Sequence, residues 1–458
     1  MSERNENSDL SSPFRGAGGI KIMKFGGTSV GRPERMHEVA RLVTAGREPT
    51  IVVLSAVSGT TNSLVAIGND LSSGNKAGAK QKIDALEGQY RQFITELVRT
   101  ADALEQAENI LKEHFEFLNI ILRISYSEAL NKDILAQGEL LSTKLFSVYL
   151  QEQKIPHELI PALEFMSIDA NDEPQVEVIR EKIKKVLDHF PNQQLFITQG
   201  YICRNARGEV DNLKRGGSDY TASLIAAAVN AAVCEIWTDI SGMHNNDPRI
   251  VHKTIPIEQL SFDEAAELAY FGAKILHPAS IWPAQQYKVP VRLLNTMEPQ
   301  AKGTLIAENA ASSGVKAVAA KDGITAINIK SSRMLLAYGF LRKVFEVFEK
   351  YRTSIDMITT SEVAVSVTID NDSALNDIVR ELELFSAVSV DRNQAIVSIV
   401  GNEIAADPET LKKVFNSLSG IEVRMVSYGG SVHNISMLVP AGEKNMVLQQ
   451  LNSGLFGL

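Results

Sequence analysis

The chain has 458 residues, 44% of them apolar and 22% charged, and a formal net charge of -9. Those are the values of a soluble globular protein of about three domains, and the acidic balance excludes a broad nucleic-acid surface while allowing a local basic pocket. Its two cysteines, Cys203 and Cys234, make neither a disulfide framework nor a zinc pattern and fit a reducing, cytoplasmic setting.

Residues 1–19 are polar and rich in Gly and Ser, with no apolar stretch of the secretory kind, and read as a disordered leader. Ile20 and Ile22 then open a first strand that ends in Lys24-Phe25-Gly26-Gly27-Thr28-Ser29-Val30. A lysine, two glycines and two hydroxyls thus meet at the carboxyl end of a strand, where open α/β sheets bind ligands. Glycines let backbone N–H groups approach an anion, and the lysine adds a point charge. Gly26 and Gly31 have P-loop spacing, but Arg32-Pro33 stand where that motif requires Lys-Ser/Thr.

Residues 51–57 form a continuous apolar run ending in a Ser/Gly/Thr turn, the pattern of a strand buried on both faces. A charged, helix-rich segment follows from about Lys76 to Gln153, with Leu86, Tyr90, Phe93, Ile94 and Leu97 at helical spacing. Further strands are expected at 195–198, 234–238 and 289–293, with helices at 219–232 and 263–273 between them. Residues 222–233 are too short an apolar window to span a membrane, for which about 20 residues are needed. Alternating strands and helices predict an α/β fold, a mostly parallel open sheet with helices on both faces. The polar stretch Glu298 to Gly314 reads as a linker.

Beyond it a repeat appears. Arg342-Lys343-Val344-Phe345 returns 70 residues later as Lys412-Lys413-Val414-Phe415. Each copy lies on an amphipathic helix leading to a strand (354–358 and 421–426), a turn and an alternating strand (363–369 and 434–439). The repeat predicts a small paired α+β module. Aligning the copies sets Asp356 opposite Arg424 and Glu362 opposite Gly430, so only the first copy has a carboxylate pair suited to a cationic amino acid. Solvated turn acids are the other reading of that pair.

Five polar clusters besides the first loop fall at strand ends or helix starts: Ser55–Asn62, Gln137-Gly138-Glu139 before a helix 140–150, Arg215–Asp219, Thr238-Asp239 running into 246–249, and Phe271–Lys274. Each also fits a local structural task. Asp219 suits an N-cap, Asp247-Pro248 a turn, and Lys274 a helix C-terminus. Together they converge on one predicted sheet edge.

In this order KFGGTSV, SAVSGTTN, GELLST, RGGSDYTA, WTDISGMHNNDPR and FGAKILHP resemble aspartate kinase of the amino-acid kinase family, over nearly the whole chain, and most of all its monofunctional lysine-sensitive type. The resemblance implies ATP-dependent phosphorylation of the β-carboxylate of L-aspartate, with Mg²⁺ held mainly by ATP phosphates. It implies a kinase domain over 20–310 and two ferredoxin-like ACT domains, one over 324–392 and the other over 311–323 and 393–458. By matching positions, Lys24 and Asp219 are catalytic. Ser55, Thr61, Glu139, Arg215 and Asp219 bind aspartate. Gly26, Gly27, Thr28, Ser29, Lys24, Thr238, Asp239, His244, Arg249, Lys274 and Ile275 bind nucleotide. His244 replaces an aromatic residue frequent in the family and is expected to face solvent. Met334, Gly339, Phe340, Asp356, Thr360, Ser361 and Glu362 match an inhibitory site, for which lysine is the expected effector and threonine the alternative. Leu336 and Ala337 depart from the His-Ser often found there. A homodimer or larger assembly through the ACT domains is expected, with neither nucleic acid nor membrane as partner. A carboxylate with a reference pKa of about 4 is already ionised at neutral pH, so the reaction needs no general base. Two other functions compete: a catalytically silent amino-acid sensor, and another kinase of the family acting on glutamate or a nucleoside monophosphate.

Overall fold

A computed structural model describes residues 19–213, 216–272, 276–308, 313–331 and 338–458. The chain forms two compact units. One comprises the chain up to Gly242 together with Leu276–Glu308; the other comprises the stretch from Met243 to the return at Leu276 and everything after Glu308.

The first unit begins with β1 (Lys21–Phe25), α1 (Pro33–Thr44) and β2 (Thr50–Leu54). Then come α2 (Thr60–Ser72), α3 (Lys76–Leu97), α4 (Ala101–Ile121), α5 (Glu128–Glu152), β3 (Glu158–Leu159), α6 (Ala162–Phe165) and α7 (Val176–Asp188). It continues through β4 (Leu195–Gln199), β5 (Ile202–Arg204), β6 (Val210–Asn212), α8 (Gly217–Val229) and β7 (Val233–Thr238). The chain leaves for β8 (Gln259–Ser261) and α9 (Phe262–Tyr270) of the second unit, and returns for α10 (Pro278–Gln286), β9 (Val291–Asn295) and β10 (Thr304–Ala307).

The main sheet runs β3-β4-β2-β1-β7-β9-β10 and is parallel except for β10, which pairs antiparallel with β9. Every residue of β2 and β4 is buried, which is why these strands read as unbroken apolar runs. From β1 the chain builds outward on one side through β2 and β4, then crosses to place β7 on the other side. β1 is therefore the switch point of the sheet, beside which such folds open a crevice. The expected linker corrects to a strand in part: Thr304 and Ile306 of β10 are buried against β9.

The second unit continues with β11 (Gly314–Lys330), α11 (Phe340–Lys350), β12 (Ile358–Thr360), β13 (Ala364–Ile369), α12 (Leu375–Leu382) and β14 (Ala387–Asn402). It ends with α13 (Pro408–Ser417), β15 (Met425–Ser427), β16 (Asn434–Pro440) and α14 (Lys444–Phe456). Its six-stranded antiparallel sheet has the order β12-β13-β11-β14-β16-β15. The two repeats share the long strands β11 and β14. Residues 314–321 pair with 396–402, residues 324–330 with 387–394, and the register shifts between Lys321 and Ile324. Val344 and Val414, equivalent in the repeat, are both fully buried, each in its own core. The strands expected at 354–358 and 421–426 start later, at Ile358 and Met425.

Candidate active site

The site is built where β1, β2 and β7 end. Lys24 is the fourth residue of β1, and its side chain is only 9% exposed. A strand buried on both faces has no place for a lone ammonium, so it needs a counter-charge. Asp219 supplies it from the first turn of α8, with Oδ1 2.6 Å from Lys24 Nζ. That helix can start so close to the sheet because glycines surround its first turn. Gly216, at the N-cap, has φ +76°, and a Cβ on it would lie 2.7 Å from His277 Cβ. On Gly200, just past β4, a Cβ would lie 2.5 Å from Ser218 Cβ.

Glu139 completes the charged group. It does not precede a helix, as the sequence suggested, but sits inside α5, which begins at Glu128 after Ser127 caps it by accepting the Leu130 N–H. Helix propensity overrides Gly138, and that glycine lets α5 press on the loop after β2: a Cβ there would meet Ala56 Cβ at 2.8 Å. The contact brings the Ala56 N–H within 3.3 Å of Glu139 Oε1, whereas Oε2 is buried without a hydrogen-bond partner. Burial pushes the Glu139 carboxyl up to about 8, with the Ala56 N–H and Lys24 opposing. A buried polar atom without a protein partner calls for an explanation, and a donor on a ligand is one.

The turn after β1 closes over the strand ends. Gly26 N–H donates to Trp237 O of β7 at 3.3 Å. A Cβ on Gly27 would stand 3.1 Å from Ala56 O. Thr28 is exposed, but Ser29 is buried and shares its hydroxyl with Thr296 Oγ1 (2.7 Å) just past β9. Ser29 thus fastens the turn to the sheet, a task that the local motif does not reveal because its partner lies far along the chain. Ser55 is half-buried directly after β2, and its carbonyl accepts from Ser142 of α5 at 2.8 Å. Thr61 is exposed in the first turn of α2, and Asp239 is exposed after β7. The Thr238 hydroxyl is engaged with Ile240 backbone atoms (3.1 and 3.3 Å). The amino ends of α2 and α8 face the same strand ends and favour anions.

His244 and Arg249 lie in the second unit. The expected solvent-facing His244 is instead half-buried, with Nδ1 2.8 Å from Thr254 Oγ1, and burial lowers its pKa. Arg249 makes a two-pronged pair with Asp247 (2.7 and 2.9 Å) on the surface. Arg215, Lys274, Ile275 and Met334, with Leu336 and Ala337, lie outside the described residues.

Of the expected effector residues, Gly339 caps α11 at φ +86°, Phe340 is in the core, and Thr360, Ser361 and Glu362 are exposed. Asp356 holds a surprise. Its side chain is 1% exposed and already carries a cation: Lys321 Nζ is 2.8 Å from its Oδ1 and 2.8 Å from Asp370 Oδ2. The Tyr270 hydroxyl donates to the same Oδ1 at 3.1 Å, and Lys321 sits over the Tyr270 ring at 4.7 Å. Two carboxylates and a ring thus cage a primary ammonium that the chain itself provides. Repeat alignment could not show this, since Tyr270 and Lys321 lie outside both copies of the motif. Arg424, the counterpart of Asp356, pairs with Asp391.

Among the described residues no helix is long and apolar enough to cross a membrane, and no group of three or more His, Cys, Asp or Glu could hold a metal ion. The model of the amino acid kinase family matches residues 19–295, and an ACT domain model matches residues 397–455. The lysine-sensitive aspartokinase 3 of Escherichia coli is 35% identical over 95% of this chain and 99% of its own. A chloroplastic aspartokinase 3 of Arabidopsis thaliana is 36% identical over 95% of this chain and 81% of its own. The crystal structure of E. coli aspartokinase III in complex with aspartate and ADP, described as the R-state, superposes with a TM-score of 0.82 at 34% identity, covering 95% of this chain and all of that one. The same enzyme in complex with lysine and aspartate, described as the T-state, gives 0.78 at 35% identity, over 95% of this chain and 99% of that one.

Proposed function

The chain belongs to the amino acid kinase family and within it to the aspartokinases, and on that premise we propose a division of labour among its residues. The protein transfers the γ-phosphoryl group of ATP to the β-carboxylate of L-aspartate and is subject to lysine feedback. The acceptor is already an anion, so the task is to bring it to a polyanion rather than to remove a proton. Catalysis then rests on position and on fixed positive charge.

Glu139 and Asp219 hold the substrate α-ammonium, and Arg215 grips its α-carboxylate as a two-pronged donor. The observation that carries this reading is the orphan Glu139 Oε2, buried at the carboxyl edge of the sheet in the same charged group as Lys24 and Asp219. An arriving ammonium satisfies that oxygen and draws the proton off the carboxyl, so that Glu139 meets it as a carboxylate. Ser55 and Thr61 donate hydrogen bonds to the carboxylate that reacts. Lys24 stands ready beside Asp219 and stabilises charge on the phosphoryl group in flight. Gly27 and Thr28 line the phosphates with backbone N–H groups, while Gly26, whose N–H is given to Trp237, and Ser29 hold that turn in place. Thr238, Asp239, His244, Arg249, Lys274 and Ile275 serve the nucleotide. Mg²⁺ would be held mainly by the ATP phosphates, where it would neutralise charge.

We assign the kinase domain to 20–310 and the ACT domains to 324–392 and to 311–323 with 393–458. The register shift between Lys321 and Ile324 supports the division. Lysine acts through Gly339, Phe340, Thr360, Ser361 and Glu362, with Asp356 held by Lys321, in a homodimer joined by residues of about 315–458, where the edge strands β12 and β15 offer unpaired backbone. The low cysteine content supports a cytoplasmic location, although plant relatives are named chloroplastic.

The test is direct. With Mg-ATP and L-aspartate the protein should release ADP and form an acyl phosphate that hydroxylamine traps. Turnover with glutamate or UMP but none with aspartate overturns the assignment.

A further inference from the structure

The nucleotide loop stands on the last helix of the chain. Asn245, Asn246 and Asn452 are 3%, 3% and 2% exposed, and they form one amide network within the second unit. Asn452 Oδ1 accepts from Asn245 Nδ2 (3.2 Å) and Asn246 Nδ2 (3.4 Å), and its own Nδ2 donates to Lys253 O (3.0 Å). Asn246 Nδ2 also donates to Leu448 O, one turn earlier on α14 (3.0 Å). Asn245 Oδ1 accepts the Ile255 N–H at 2.6 Å, and Asn246 Oδ1 accepts the Asp247 N–H at 2.9 Å. The loop bearing His244, Asp247 and Arg249 is thus pinned at both ends by one side chain.

Packing alone does not explain an asparagine there. Val447, Leu448 and Leu451 of the same helix are buried in an apolar cluster with Val251 of the loop. A leucine would continue that cluster, whereas a buried amide costs free energy unless its hydrogen bonds are made. All three of those bonds go to residues 245–253. The opposite end of α14 reaches the same region. Lys444 pairs with Asp322 of β11 at 2.6 Å, and Asp247 is held below the ordinary carboxylate range by Arg249 first and also by Lys444.

We infer that Asn452 is a positioning residue for nucleotide binding: from the C-terminal helix it fixes the loop 244–249 in the geometry His244 and Arg249 need to meet ATP. This rests on the assignment of those two residues to the nucleotide. It makes the grip on ATP depend on where α14 sits, and α14 belongs to the regulatory repeats.

Asn452→Leu and Asn452→Ala, in the full chain, should raise KM for ATP about tenfold, with kcat and KM for aspartate within about twofold. Calorimetric binding of ADP should weaken in parallel. Val447→Ala, on the same helix, should lower Tm without moving KM for ATP, which separates positioning from stability. Arg249→Ala should raise KM for ATP. In the unmutated protein, ADP should slow amide exchange in 448–452 as well as in 243–256. If Arg249→Ala weakens ATP and both Asn452 variants do not, Asn452 has no positioning role. If neither position affects ATP, the nucleotide assignment fails and the inference falls with it. Protection by ADP confined to 243–256 also overturns it.

Discussion

Glu139→Gln tests the charged group most sharply, because it keeps the shape and removes the charge. A carboxyl displaced from 4.5 to about 8 binds its proton more tightly in the folded chain than in the unfolded one. Its contribution to stability is therefore unaffected below pH 4.5, falls as pH rises, and reaches its full cost above pH 8. That displacement corresponds to about 5 kcal/mol at most, and relaxation around the charge lowers it, so the glutamine variant should gain about 2–5 kcal/mol at pH 8.5. At pH 5 the gain should be under about 1 kcal/mol. Urea unfolding read by tryptophan fluorescence suits the measurement, since Trp237 and Trp282 both lie in the first unit. The same variant should raise KM for aspartate about tenfold or more, by losing a charged partner for the ammonium. In the parent protein, aspartate binding near pH 7 should release close to one proton, seen as a heat that depends on the buffer, because the arriving ammonium ionises Glu139. Equal stability gains at both pH values, or a binding heat indifferent to buffer, would show that Glu139 is ionised all along and would refute the reasoning.

Lys24→Ala should lower kcat roughly a hundredfold or more while sparing folding at room temperature, because the charge it removes acts mainly on the transferring group; a loss under tenfold in a steady-state assay would reassign the lysine to structure. Lys321→Met should destabilise the second unit by about 1–3 kcal/mol, since it strips Asp356 of its cation. Free lysine should then raise the Tm of that variant more than that of the parent, by filling the vacated cage; equal shifts in thermal unfolding would show that lysine does not reach Asp356.

The parallel sheet and the repeats were legible because each rests on local periodicity. Apolar runs such as 51–54 and 195–198 have no polar side to show, which is what burial on both faces requires. The helical spacing of Leu86, Tyr90 and Phe93 matched a buried stripe. The starts of elements were harder. α5 begins well before Glu139 because Ser127 caps it, and Gly138, a plausible helix breaker, is there for close approach to Ala56. What the sequence could not show was partnership over distance. Nothing near Lys321 announces that its ammonium occupies Asp356, and nothing near Ser29 announces Thr296. Nothing near Asn245 and Asn246 announces that they are buried against a helix two hundred residues away.

The strands β11 and β14 each serve both repeats, and that arrangement sets an order of events during synthesis. Residues 314–321 leave the ribosome early but find their partners only when 396–402 have been made. At about 5–20 residues per second the wait is on the order of ten seconds. Through that interval Val318, destined for the core, and the backbone groups beside it stay open to other chains. Lys316 and Lys321 flank this stretch with charge, the kind of residue that discourages edge-to-edge association. The first repeat draws its strands from residues 324–394 and can close before 396–402 are made, whereas the second, split by the first, stays an unpaired half-sheet until that late step.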